Sequence, residues 1–225
     1  MEAPAGVARF WHAEHDLCAR MRGARRSPPQ RALAAGEALF AHGDAPGRVF
    51  VLERGAVQVS LRDPMGSLRI VDLALPGDVL GFDGFASGAH AGDALVLRDS
   101  VVWPIEVDAR GGMRRRERPW PELASLGAAQ VLRAMRQTLR LRFGSVARLA
   151  DCLLDLADKL GDVEFELPLS FQDLANYLDL RPETLSRALH DLQDRGEVQR
   201  VGGTRLRIDA ERLCTTRAAP RPRQV

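Results

Sequence analysis

The segment 182-PETLSRALHDLQD-194 places an acid, a hydroxyl and a guanidinium close together: Glu183, Ser186 and Arg187. On a helix, positions three and four apart lie on one face, so the three groups form a row. A guanidinium can bond guanine O6 and N7 together, and a carboxylate can accept from a cytosine amino group. A short hydroxyl lets a helix approach a base edge or a phosphate. Thr184 and His190 stand on the faces that flank this row. The chemistry these types serve is recognition of base-pair edges. The competing reading is a solvated face on a helix pair that only mediates protein contacts.

The flanking text supplies the elements that would hold such a row outward. Ser170 can cap a helix, with Asp173 three residues on as a variant of the capping box. Phe171, Leu174, Ala175 and Leu178 give that helix an inner face, residues 179–181 make a turn, and Pro182 falls in the first turn of a second helix. Leu185, Leu189 and Leu192 bury the second helix's inner side. Two helices this short cannot form a core alone, and a helix-turn-helix with an outward second helix solves the problem. A helix of this size fits the major groove. Next, Val198, Val201, Leu206 and Ile208 flank Gly202-Gly203, the chemistry of a tight hairpin. Arg200, Arg205 and Arg207 stand on that hairpin, where a wing could clamp phosphates.

Upstream, residues 145–160 read as a helix closed by Gly161, and residues 162–170 as a short strand. Residues 119–143 read as one long helix with Ala128, Leu132, Met135 and Leu139 forming an apolar seam. The seam either packs on its own domain or pairs with a second copy; its length and arginine-rich outer face favour dimerisation through Leu132, Met135 and Leu139. Residues 32–107 alternate as short half-buried strands split by turn residues, Arg54-Gly55 among them, which suggests an antiparallel sandwich or barrel. The expected organisation is an arm and β-barrel over residues 1–116, a dimerisation helix over 117–144, and a winged helix-turn-helix over 145–225 with a disordered tail from 215.

Composition narrows the class further. The chain has 225 residues and a net charge of only +2. Residues 110–142 hold nine arginines against Glu117 and Glu122, a local charge of +7, whereas residues 146–214 carry a local −5. Nucleic-acid binding by the C-terminal part must therefore rest on placed residues, not on a general basic field. No apolar run reaches the ~20 residues of a membrane span, no signal peptide is evident at the start, and the cytoplasm is the expected compartment. Three widely spaced cysteines, Cys18, Cys152 and Cys214, argue against a disulfide framework. No nucleophile–base pair or phosphate-cradling glycine loop is present, so an enzyme is not expected. His12, His15 and Cys18 fall on one side of a helical wheel; metal or haem ligation there is conceivable, a polar segment with scattered histidines being the plainer reading.

The stretches 76-PGDVLGFDGFASGAH-90 and 172-QDLANYLDLRPETLSRALHDLQDRGEV-198 together resemble the CRP/FNR superfamily of bacterial transcription regulators, and its FNR branch most. The resemblance covers residues 32–213. It implies an α+β chain: an N-terminal antiparallel β-barrel of the cyclic-nucleotide-binding jelly-roll type, a long dimer helix and a C-terminal winged helix-turn-helix. It also implies a homodimeric regulator, an activator in contact with RNA polymerase, on double-stranded DNA. The family's E-x-x-S-R signature falls on Glu183, Ser186 and Arg187 and goes with palindromic TTGAT-type half-sites. Surfaces near Glu53-Arg54-Gly55 and residues 110–118 are candidates for the polymerase.

The family's sensors fit this sequence poorly. The resemblance puts the acidic position of a cyclic-nucleotide site at or beside Phe82, with Asp83 adjacent, and the Arg–Ser position on Ala91-Gly92. A buried phosphate without its cation loses its main compensation, so cyclic AMP is not expected to bind. Of the four cysteines that hold a [4Fe–4S] cluster in oxygen-sensing relatives only Cys18 has a counterpart, and Trp103 takes the barrel position. A cluster is therefore not expected; haem on His12, His15 or Cys18 is the alternative cofactor. The alternative function is a signalling adaptor, binding an effector or haem, whose helix-turn-helix is not used on DNA.

Overall fold

A computed structural model describes residues 29–107 and 120–218. The chain divides into two compact units, residues 1–133 and 134–225.

In the first unit six strands form one antiparallel sheet: β1 (Arg31–Leu33), β2 (Ala38–Phe40), β3 (Arg48–Arg62), β4 (Leu68–Ala74), β5 (Val79–Leu80) and β6 (Asp93–Glu106). The order is β1-β6-β3-β4, with β2 also on β6 and β5 also on β3. The antiparallel class holds as expected, although the hydrogen-bond ladder does not close on itself among the described residues. A short helix, α1 (Asp83–Ser87), follows β5.

Strand β3 corrects one reading of the sequence. Arg54-Gly55 is not a turn between two strands but an irregularity inside one 15-residue strand, with register shifts against β6 on either side. Gly55 has φ +100, and a Cβ there would collide with the Ser100 side chain and the Asp99 carbonyl. A glycine that lets two strands approach is a bulge device; the same residue type serves turns, so pattern alone does not separate them. Alternation along the strands then sorts the apolar side chains into one large cluster, including Phe50, Leu52, Val57, Leu80 and Val102, and a smaller one around Val49, Val51, Val79 and Trp103.

Helix α2 (Trp120–Arg140) crosses the boundary between the units and gives way to a turn over residues 141–143. The second unit then builds α3 (Ser145–Leu160), β7 (Glu164–Glu166), α4 (Phe171–Tyr177), α5 (Pro182–Asp194), β8 (Val198–Gly202), β9 (Arg205–Ile208) and α6 (Ala210–Ala218). Gly161 ends α3 in the left-handed conformation at φ 70, its N–H donating to the Ala157 carbonyl. The three strands pair antiparallel in the order β7-β9-β8. Leu149, Leu153, Leu174, Leu178, Leu192, Leu206 and Leu213 are almost wholly buried at its centre. The tail also departs from expectation: residues 215–218 continue α6, because Thr216 is buried and its hydroxyl donates to Glu197 Oε1 at 2.9 Å. No helix among the described residues is long and apolar enough to cross a membrane.

Candidate nucleic-acid interface

The helix-turn-helix forms where the local chemistry puts it. Asp173 N–H donates to Ser170 Oγ at 3.1 Å while the Ser170 hydroxyl donates to Asp173 Oδ2 at 2.6 Å, so the cap is closed from both sides. The turn passes through Asp179, whose φ of 50 is left-handed. Aspartate tolerates that region better than most residues because its short side chain can bond locally. Pro182 then starts α5, where its missing N–H has no partner to lose.

Helix α5 has two distinct sides. Leu185, Ala188, Leu189 and Leu192 are buried. Glu183, Ser186, Arg187 and His190 are exposed, and Thr184 is half-buried beside them. Glu183 occupies the first turn, where a negative charge suits the helix dipole. The side chains of Glu183, Ser186 and Arg187 engage no partner among the described residues, whereas His190 Nε2 lies 3.5 Å from Asp194 one turn on. The row expected from the spacing is thus brought together on one exposed face.

The hairpin of β8 and β9 carries Arg200, Arg205 and Arg207, all exposed. Arg200 lies over the Phe171 ring at 4.8 Å and donates to the Gly203 carbonyl at 3.0 Å, tying the wing to α4. Arg207 donates twice to Glu164 Oε2, at 2.9 and 2.5 Å, and Arg205 approaches the same carboxylate at 3.6 Å. No local spacing marks Glu164 as a partner of the wing. It faces Arg207 only because β7 pairs with β9 in that register, and it offsets part of the positive charge on the wing.

The seam residues Leu132, Met135 and Leu139 are 44, 57 and 57% exposed on α2, beside Val131 at 54%. Four large apolar side chains left open on one helix make a surface that water does not favour. At the other end of the helix, Arg140 is buried and bonded to Asp151 and Asp155 of α3. Neighbouring Cys152 is fully buried, and burial pushes its thiol up to about 12.

In the first unit Asp83, His90 and Ala91 engage one another. Asp83 Oδ2 accepts from Ala91 N at 2.8 Å, and Oδ1 lies 3.2 Å from Nδ1 of His90. His90 is buried and stacked on Phe40 at 3.9 Å. Arg133 forms a two-pronged pair with Asp72, at 3.1 and 2.9 Å, and a further ion pair with Asp78. Asp78 Oδ2 also accepts from Leu75 N at 2.8 Å. Trp103 is buried in β6. His12, His15 and Cys18, and the arginine run of residues 110–118, lie outside the described residues; among those described, no three metal-binding side chains cluster.

Comparison with known proteins agrees with both halves. Residues 147–216 match the Crp-like helix-turn-helix domain, and residues 30–113 match the cyclic nucleotide-binding domain. The nitrogen fixation regulation protein FixK of Rhizobium meliloti is 31% identical over 162 residues, 71% of this chain and 73% of its own. Electron transport regulator A of Shewanella oneidensis is 28% identical over 198 residues, covering 84% of this chain and 77% of its own. Among solved structures, FixK2 from Bradyrhizobium japonicum superposes with a TM-score of 0.71 at 25% identity, covering 85% of this chain and 98% of that one.

These matches define a DNA-binding transcription regulator with a cyclic-nucleotide-binding-like domain and a winged helix-turn-helix. The chain belongs to the CRP/FNR family.

Proposed function

We propose that the protein binds a TTGAT-like palindrome as a homodimer in the cytoplasm and acts there as an activator, not as an enzyme. The row Glu183, Ser186 and Arg187 enters the major groove, with Thr184 and His190 at its margins. Arg200, Arg205 and Arg207 meet phosphates beside it. The observation that carries this reading is the exposed row, without a partner among the described residues, on a helix whose other side is packed with leucine. A buried leucine face fixes the helix, and free polar groups on the opposite face leave their bonding capacity for a duplex. Exposure of Leu132, Met135 and Leu139 supports pairing of two copies along α2, which would set two recognition helices about one DNA turn, roughly 34 Å, apart. RNA polymerase is the further partner expected of an activator.

Cofactors follow from the donor sets. A cyclic nucleotide would need a cation opposite its phosphate, and Ala91-Gly92 supplies none. Asp83 is already committed to His90 and to the Ala91 amide. A tryptophan at position 103 cannot ligate iron, so the residues do not fit a [4Fe–4S] cluster of the usual kind. Haem or a metal at His12, His15 and Cys18 is a further candidate, and the absorption spectrum of His15→Ala protein after haem addition tests the haem reading.

The DNA reading is tested by Arg187→Ala. Loss of a bidentate guanine contact costs about 1–3 kcal/mol of specific affinity, with weaker discrimination at one base pair and little change on random duplex. Equal affinity of wild-type protein for any duplex at physiological salt would remove the reading.

A further inference from the structure

Arg148 holds an unusual position. It sits in the first turn of α3, is only 7% exposed, and donates to four main-chain carbonyls drawn from two helix ends. Nη1 reaches the Leu178 and Asp179 carbonyls, at 2.7 and 3.1 Å, at the turn of the helix-turn-helix. Nη2 reaches the Leu141 and Phe143 carbonyls, at 2.8 and 3.2 Å, in the turn that ends α2. The last carbonyls of a helix lack intrahelical partners and carry the negative end of its dipole. One planar cation therefore joins two such ends, and its rigid fork fixes the angle between them in a way a flexible ammonium would not. All of these residues, with the seam positions Met135 and Leu139, belong to the same compact unit.

We infer that Arg148 is a positioning residue that sets the angle at which the helix-turn-helix is carried on the seam helix, and thereby the half-site spacing the dimer accepts. The inference rests on the palindrome-binding dimer proposed above. Adding one base pair between half-sites moves one of them by about 3.4 Å and turns it by roughly 35°. A rigid mount resists that displacement and a loose one absorbs it. Breaking the joint should therefore cost spacing selectivity more than affinity for a single half-site.

The test measures full-length wild-type, Arg148→Gln and Arg148→Lys protein on duplexes whose half-sites are set one base pair closer, at the preferred spacing, and one base pair further apart, together with a single half-site. Wild-type protein should discriminate against the displaced spacings by roughly tenfold or more. Both variants should fall to about threefold or less, while their affinity for the single half-site changes by less than about threefold. Lysine should not restore the profile, since one ammonium cannot serve both pairs of carbonyls. If Arg148→Gln fails to fold, as judged by circular dichroism, Arg148→Lys decides alone. A variant that folds and keeps the wild-type profile overturns the inference, as does a loss of affinity equal at every spacing and at the single half-site. A wild-type protein with no spacing preference contradicts the palindrome-binding dimer instead.

Discussion

The recognition row of the second unit and the Asp83 region of the first leave their polar groups in different states. In the second, Glu183, Ser186 and Arg187 stand exposed and unengaged among the described residues, on a helix held from behind by buried leucines. In the first, Asp83 pairs with His90 and the Ala91 amide, and Asp72 and Asp78 pair with Arg133. A site waiting for a ligand leaves its hydrogen-bonding capacity open, whereas a site that satisfies itself gives a ligand little to gain. The contrast makes the two units testable in opposite ways, the second by removing a group and the first by adding a ligand.

The sharpest way to break the open half is through its support. Leu192 is fully buried beneath the recognition row. Leu192→Ala should cost about 2–5 kcal/mol of stability, a lost side chain plus a cavity, and should lower the thermal midpoint. A loss below about 1 kcal/mol would mean that α5 is not packed as described. A smaller effect is expected at the cap: Ser170→Ala removes the acceptor for Asp173 N–H and should cost about 1 kcal/mol in denaturant unfolding.

Much of the open half was legible because its signals are local. Ser170 with Asp173, the turn at Asp179, Pro182 at a helix start and leucines at helical spacing all act within a few residues of each other. The sheet was legible as alternation but not in detail, since Gly55 reads equally as a turn or a bulge until its neighbour Ser100 is known. Arg133, Arg148 and Glu164 were not legible as functional or bracing groups. Each has a partner far off in sequence, 61, 30 and 43 residues away, and no spacing rule connects them.

The closed half is tested by addition rather than removal. Cyclic AMP should change neither the thermal midpoint nor the affinity for DNA, because the phosphate would find no cation at Ala91-Gly92. Submicromolar binding by calorimetry would contradict that and would make the two units more alike than described. The smallest effect concerns chemistry at the edge of the comparison. Cys152 is buried and its thiol is pushed up to about 12 by that burial, so it should stay unmodified by iodoacetamide at pH 8 in native protein. Half-buried Cys214 should react before Cys152, as peptide mapping by mass spectrometry would record. Rapid labelling of Cys152 would show that the end of α2 opens on its own.

The central claim is that a symmetric pair of exposed rows reads base-pair edges. Selection of bound duplexes from random DNA, sequenced after several rounds with purified full-length protein at physiological salt, tests it most directly. Enrichment of a two-fold symmetric sequence, with TTGAT-like half-sites centred about 10 base pairs apart, is the predicted result. No enriched sequence at all, or one without the symmetry, would contradict it.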